Sequence, residues 1–172
     1  MTPPTLRGAS VTLRPIGTGD LPALLEILVD PTVARWWGNY DLARVTEEYA
    51  DPGDDTVAFI IEVDGNVAGL IQYGEEDDPD YRHASVDIAL VAAFQNRGAG
   101  PDAIRTLARY LFGERGHHRL TIDPAAANAN AIRAYESVGF RRVGVMRQYE
   151  RGADGRWHDG LLMDLIAGGL RG

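Results

Sequence analysis

Six consecutive residues, Gln95-Asn96-Arg97-Gly98-Ala99-Gly100, have the composition of a loop that grips an anion. Glycines at 98 and 100 let the backbone approach a ligand closely and take conformations that a side chain forbids. Pro101 follows, and proline opens helices well because its missing N–H would have had no partner there. A strand-to-helix turn of this kind aims free amides and the positive end of a helix at one point, which suits a pyrophosphate. Two glycines alone fit an ordinary strand-to-helix turn equally well. The loop is not a Walker A motif, since no Gly-Lys-Ser/Thr follows, and the spacing Gly-x-Gly-x-x-Gly fails at Ala103.

Carboxylates and aromatics flank this loop in the chain. Asp87 precedes Gln95 by eight residues, and Asp123-Pro124 and Asp159-Gly160 follow it. Residues 75–80 read Glu-Glu-Asp-Asp-Pro-Asp, so Glu76 and Asp77 sit inside a dense acidic run. Trp36-Trp37-Gly38 offers two large aromatic walls. Each residue also has a structural reading. Asp87 fits the exposed side of an amphipathic strand, Asp123 a cap on the next turn, the tryptophans core or rim packing, and the acidic run a solvated loop. Tyr135 alone reads as an aromatic at the edge of the core.

The elements that must position these groups are legible from period and punctuation. Val11 to Arg14 reads as a strand, with Gly17, Gly19 and Asp20 as turn and helix-start signals. Leu21, Leu24, Leu25 and Leu28 recur at helical spacing until Pro31 ends the pattern, which leaves Trp36 to Gly38 in irregular chain before a short helix at 44–50. Val57 to Val63 and Val67 to Tyr73 flank Asp64-Gly65-Asn66, the signature of a tight hairpin. Ala84 to Leu90 alternates, with Val86, Ile88 and Leu90 on one face and Ser85, Asp87 and Ala89 on the other.

A helix from Pro101 to about Arg115 carries Ile104, Leu107, Ala108, Leu111 and Phe112 on one stripe. A strand at 120–123 and a helix at 130–138 follow, with Asn128 as N-cap, Gly139 just past the end and Phe140 packing behind it. Two late strands flank Asp154-Gly155. Strands that precede, separate and follow helices give an α/β or α+β class with a mixed sheet, and the absence of repeats or linkers gives one domain over residues 1–172.

Bulk properties narrow the chemistry. The formal charge of −8 opposes phosphate backbones, so nucleic acid is not an expected partner. There is no run of roughly 20 apolar residues, so no membrane span is expected. The N-terminal residues lack the features of a signal peptide, so the expected location is cytoplasmic. Zero cysteines exclude disulfides and an acyl-cysteine intermediate, and four scattered histidines lack the spacing of metal ligands.

The loop at 95–100 resembles the Gln/Arg-x-x-Gly-x-Gly/Ala motif of the GNAT superfamily of N-acetyltransferases. The stretch from Asn128 to Phe140 is similar to its second signature, Asn-x-x-Ala-x-x-x-Tyr-x-x-x-Gly-Phe. The resemblance implies a mostly antiparallel mixed sheet of six to seven strands whose fourth strand splays, with flanking helices. It implies acetyl-CoA as cosubstrate, its pyrophosphate cradled by Gln95, Asn96, Arg97, Gly98, Ala99 and Gly100, with Asn128 nearby. Backbone amides of Ile88, Ala89 and Leu90 would hold the pantetheine and polarise the thioester, and Tyr135 would protonate the leaving thiolate.

Within that superfamily the chain resembles the aminoglycoside 6′-N-acetyltransferases. That likeness implies a polycationic amine acceptor, with Trp36 and Trp37 walling its site and Asp87 orienting or deprotonating its amine. Asp123 and Asp159 would be further contacts, and Glu76 and Asp77 would add attraction. The stretch between the third and fourth strands departs from those enzymes. A protein N-terminus or a small metabolite amine is the alternative acceptor, and a non-catalytic acyl-CoA module the alternative role; the expected assembly is a monomer or homodimer.

Overall fold

The computed structural model describes residues 2–51 and 56–172, and all statements about the structure refer to these. Its strands are β1 (Leu6–Arg7), β2 (Val11–Pro15), β3 (Thr56–Val63), β4 (Asn66–Glu76), β5 (His83–Leu90), β6 (Arg119–Ile122), β7 (Arg141–Arg151) and β8 (Trp157–Ile166). Helices α1 (Leu21–Val29), α2 (Pro31–Trp37) and α3 (Leu42–Tyr49) lie between β2 and β3; α4 (Ala99–Gly113) follows β5 and α5 (Ala129–Val138) follows β6. The strands form one eight-stranded sheet in the order β1-β2-β3-β4-β5-β6-β8-β7. The strand beyond the expected six to seven is β1, two residues too short to show a pattern in sequence. Among the described residues, no helix is long and apolar enough to cross a membrane.

Alternation along β5 serves two cores, one on each face of the sheet. Ala84 and Val86 join α4 and α5 in the larger cluster, with Leu107, Leu111 and Tyr135, while Ile88 and Leu90 pack against its edge. Ala89 faces the other way, into a smaller cluster with Leu24, Leu28, Val33 and Val45 of α1 to α3. The result is a helix–sheet–helix sandwich built by period-2 patterning.

All neighbouring strands are antiparallel except β5 and β6. That parallel pairing comprises only Ala84↔Leu120 and Ser85↔Thr121. Beyond it β5 stays on β4 as far as Leu90↔Gly69, and β6 stays on β8. The two strands therefore part and open a wedge, as expected for the splayed fourth strand, which is β5 here. At the mouth of the wedge β4 lies so close to β5 that a Cβ on Gly69 would stand 2.1 Å from the Ala89 carbonyl oxygen.

Two expectations about helices change. Trp36 and Trp37 belong to α2 and not to irregular chain, because Asp30 caps a new helix by accepting the Thr32 N–H at 2.9 Å. Pro31 thus ends one helix and occupies the first position of the next. Helix α4 begins at Ala99, so Pro101 is its third residue, still within the turn whose N–H groups lack intrahelical acceptors.

The acidic run also has a partly structural role. The Glu75 carboxylate accepts two hydrogen bonds from Arg115, at 2.9 and 2.8 Å. It also accepts one at 2.8 Å from Nε2 of buried His117. The Arg115 guanidinium foremost, then His117, hold Glu75 down at about 2, against burial. The stability linked to that depression is fully present above the ordinary carboxylate value of 4.5 and is lost as pH falls toward about 2. Glu75→Gln is expected to lower unfolding stability by about 2 kcal/mol at neutral pH. Urea titrations at pH 7 and in strong acid check this: the difference from wild type should shrink as the pH approaches 2.

Candidate active site

A cavity of about 1070 Å³ runs from the α4 N-terminus through the wedge to α2 and the end of β7. That is at the upper end of the roughly 300–1,000 Å³ typical of small-molecule sites, enough for two ligands to meet. Its nucleotide-like end is built from turn chemistry. Asn96 and Gly98 take positive φ, 58° and 82°, and Gly98 is the N-cap of α4. The first helical bond of α4 runs from Asp102 N–H to the Gly98 carbonyl, so the amides of Ala99 and Gly100 point forward without helical partners. A Cβ on Gly98 would meet nothing within 4 Å, so the loop is open there, while one on Gly100 would stand 3.2 Å from the Leu90 side chain.

Gln95, Asn96, Gly98 and Gly100 line the cavity. Ala99 instead is buried in the core beneath the helix, and Arg97 is exposed outside the lining. What the loop presents to a ligand at Ala99 is therefore its backbone N–H and not its side chain. Gln95 has a structural task as well: its amide donates to Thr32 Oγ1 and to the Leu90 carbonyl, both at 2.8 Å. Asp30 adds a second tie by accepting the Ala92 N–H at 3.1 Å. Helix α2 is thereby fastened to the strand end and the loop.

Within the wedge the ladder pattern fixes which amides are free. The Val91 N–H donates to the Ala68 carbonyl on the β4 side. Alternation then turns the N–H groups of Ile88 and Leu90 to the opposite edge, into the gap left by β6. The Ala89 amide faces β4 by the same rule, so it cannot serve the gap as expected. Apolar walls from Ile104, Ile122, Pro124 and Ala134 suit a thin, weakly polar chain between these amides and α5. Asn128 lines the cavity while its side-chain oxygen accepts the Ala131 N–H at 3.3 Å, so it caps α5 as expected and keeps its amide nitrogen for other use. Tyr135 is 8% exposed and lines the same space, and among the described residues its hydroxyl has no hydrogen-bond partner. Burial first, then the charges of Asp87 and Asp123, raise its pKa, so it stays protonated and able to donate.

The other end of the cavity is acidic. Asp87, Asp123 and Glu150 line it, and Trp36 and Trp37 of α2 form its far wall. Asp87 is exposed to the open cavity by surface area, yet protein is packed closely around it. Loss of hydration there, followed by the charge of Asp123, pushes it up to about 6, while a Gln72 hydrogen bond pulls it back. Gln72 is its ladder partner, and its side-chain oxygen accepts the Tyr49 hydroxyl at 3.1 Å, which turns its NH2 toward the carboxylate. Asp123 accepts the Tyr149 hydroxyl at 2.6 Å.

Three expected acidic contacts lie elsewhere. Glu76 and Asp77 are at the far end of β4: Glu76 pairs with His83, four ladder steps (about 13 Å) from the Gln72↔Asp87 pair. The Glu76 carboxylate accepts the Asp78 N–H at 2.9 Å and shapes the turn. Asp159 does not line the cavity; its carboxylate accepts the Gln148 N–H at 2.8 Å and its carbonyl the Ala126 N–H at the same distance. Glu150, Gln72 and Tyr149 were not singled out in sequence. Of these, only Glu150 carries a charge that could have drawn notice.

Residues 10–141 match the family described as the acetyltransferase (GNAT) domain. The chain belongs to the GNAT acetyltransferase family. As a GNAT acetyltransferase it takes acetyl-CoA as cosubstrate, and the open cradle and the apolar wedge fit a diphosphate and its pantetheine arm. It is similar to aminoglycoside N(6')-acetyltransferase type 1 of Klebsiella pneumoniae, 31% identical over 156 residues that make up 80% of this chain and 77% of that one. It is also similar to spermidine N(1)-acetyltransferase of Escherichia coli (strain K12), 24% identical over 160 residues, 90% of this chain and 84% of that one. Among solved structures, that of AAC(6')-Ib with paromomycin and acetyl-CoA superposes with a TM-score of 0.76 at 26% identity, covering 93% of this chain and 95% of the other.

Gly98→Val in this GNAT enzyme places a branched side chain at φ +82° and into the open cradle. The left-handed conformation alone costs roughly 1–2 kcal/mol. Calorimetry should show coenzyme A binding at least tenfold weaker than to wild type, and unchanged affinity would dismiss the loop as the diphosphate site.

Proposed function

We propose that this enzyme transfers the acetyl group of acetyl-CoA to the 6′-amine of aminoglycosides by direct attack within a ternary complex. The observation that carries the reading is the position of Asp87. It stands in the same cavity as the free amides of the wedge and the unpartnered Tyr135 hydroxyl, with further carboxylates and two tryptophans around it. The likeness to aminoglycoside N(6')-acetyltransferase type 1 supports the same acceptor.

In this reading the neutral amine nitrogen attacks the thioester carbon, and Asp87 takes the amine proton directly or through a water. The charge that develops on the carbonyl oxygen meets the Ile88 and Leu90 N–H groups, which are already oriented and need no reorganisation. As the C–S bond breaks, the Tyr135 hydroxyl gives its proton to the departing sulfur, so one proton leaves the amine side and one arrives at the thiol. Holding both substrates in one cavity supplies much of the acceleration. Asp123 receives another ammonium group by a charge-assisted hydrogen bond, and Trp36 and Trp37 bound the sugar ring. We read the chain as one domain acting in the cytoplasm.

A linear polyamine is the second reading. The acidic chamber and the relative named spermidine N(1)-acetyltransferase favour it over a protein acceptor.

A thiol-release assay with kanamycin, tobramycin and spermidine separates the two. Release with kanamycin or tobramycin is the expected result; none with any 6′-amino aminoglycoside ends the first reading. Activity needs Asp87 ionised, so kcat/KM should be lost as pH falls through about 6. Asp87→Asn should abolish that acid limb and lower turnover far more than coenzyme A affinity. Tyr135→Phe should lower kcat by about tenfold or more while leaving acceptor binding unchanged, the mark of a proton donor.

A further inference from the structure

Glu150 enters the acidic chamber because β7 is irregular. Met146 pairs with Gly160 and Glu150 with His158, so four steps on β7 span two on β8. The two extra residues bring Glu150, in place of Gln148, opposite His158. Gln148 takes a positive φ of 48° in this bulge, and two contacts hold it: the Gln148 N–H is taken by Asp159, and the neighbouring Tyr149 hydroxyl is bound to Asp123. The carboxylate expected from Asp159 in the acceptor site is spent on shaping the strand that delivers Glu150.

Glu150 lines the cavity with Asp87 and Asp123, and among the described residues none of the three is in an ion pair. The cationic side chains nearby, of which Arg35 and Arg133 line the same cavity, each contact another group. Arg35 stacks on Trp36, Arg133 is bound to Asn130, and His158 is bound to Asp154. Burial and the charge of Asp123 raise the pKa of Glu150, while His158 opposes them; Glu150 in turn raises that of Asp87. Acidic side chains gathered in a recess do not by themselves make a site. Here the same cavity also holds the Tyr135 hydroxyl, on a residue more than nine-tenths buried and without a partner. A ligand that brings several cationic donors to the acidic end would neutralise charges that the protein leaves uncompensated.

We propose that Glu150 is the specificity-determining carboxylate of the acceptor chamber, receiving a second ammonium group of a polyamine substrate while Asp87 faces the reacting amine. This rests on the reading of the acidic end as the acceptor chamber. It selects acceptors whose ammonium groups are spaced to reach β5 and β7 together, and gives no advantage to a monoamine.

The test is calorimetric titration of tobramycin into wild type, Glu150→Gln and Glu150→Asp, each saturated with coenzyme A. The expected result is about tenfold weaker tobramycin binding to Glu150→Gln and recovery of most of the affinity in Glu150→Asp. Coenzyme A affinity within about twofold of wild type shows that the fold is intact. Equal tobramycin affinity in wild type and Glu150→Gln overturns the proposal, as does a loss that Glu150→Asp does not recover, or no binding to wild type. Glu150-dependent binding without acetyl transfer would remove the aminoglycoside reaction and leave this assignment standing. Transfer that is indifferent to Glu150 would do the reverse.

Discussion

The parting of two parallel strands after two residue pairs is the constraint on which the site depends. Backbone N–H and C=O groups that leave a ladder must find other partners or face a ligand. Here β5 keeps its full pairing with β4 and gives up its pairing with β6, so the loss falls on one edge only. The free amides of Ile88 and Leu90, the apolar cleft beside them and the α4 N-terminus beyond all follow from that one-sided separation. Gly69 lets β4 press close enough to hold β5 in place while its other side stands open.

Carboxylates in this chain show how environment divides one functional group between stability and chemistry. Glu75, gripped by a guanidinium and an imidazole, is driven down and serves as a fastener. Asp102 is nearly buried and accepts three backbone amides and a hydroxyl from residues 9–11, which ties the β1–β2 turn to α4. Asp87 has protein packed around it and no cation beside it, and is driven up. The difference lies in the partner, not in the residue type.

What could be read from sequence was what local chemistry determines. Asn128 as a cap, Gly139 at φ 118° past the end of α5, and the Asp64-Gly65 hairpin are decided by neighbours within a few residues. Alternation on β5 was legible because period 2 survives any tertiary context that buries a sheet. The cradle and Tyr135 were assigned by resemblance, and the structure brings Gln95, Gly98, Asn128, Tyr135, Asp87 and Asp123 to one cavity. Distant pairing was not legible. The β7 bulge depends on Asp159, eleven residues from Gln148, and the Glu75 clasp on Arg115, forty residues away. Pro31 was read as a stop because sequence does not tell whether a proline closes one helix or opens the next; the capping contact from Asp30 decides it.

The bonds from Gln95 to Thr32 and Leu90, with Asp30 on Ala92, make α2 and the glycine loop parts of one rigid piece. The wall that shapes the acceptor therefore cannot drift during evolution without disturbing the grip on the acyl donor. The β7 bulge, shaped by the Asp159 and Tyr149 contacts, is not tied to the glycine loop by these bonds. Divergence toward new amines has its open road there, where a changed residue leaves the acyl-donor half of the site untouched.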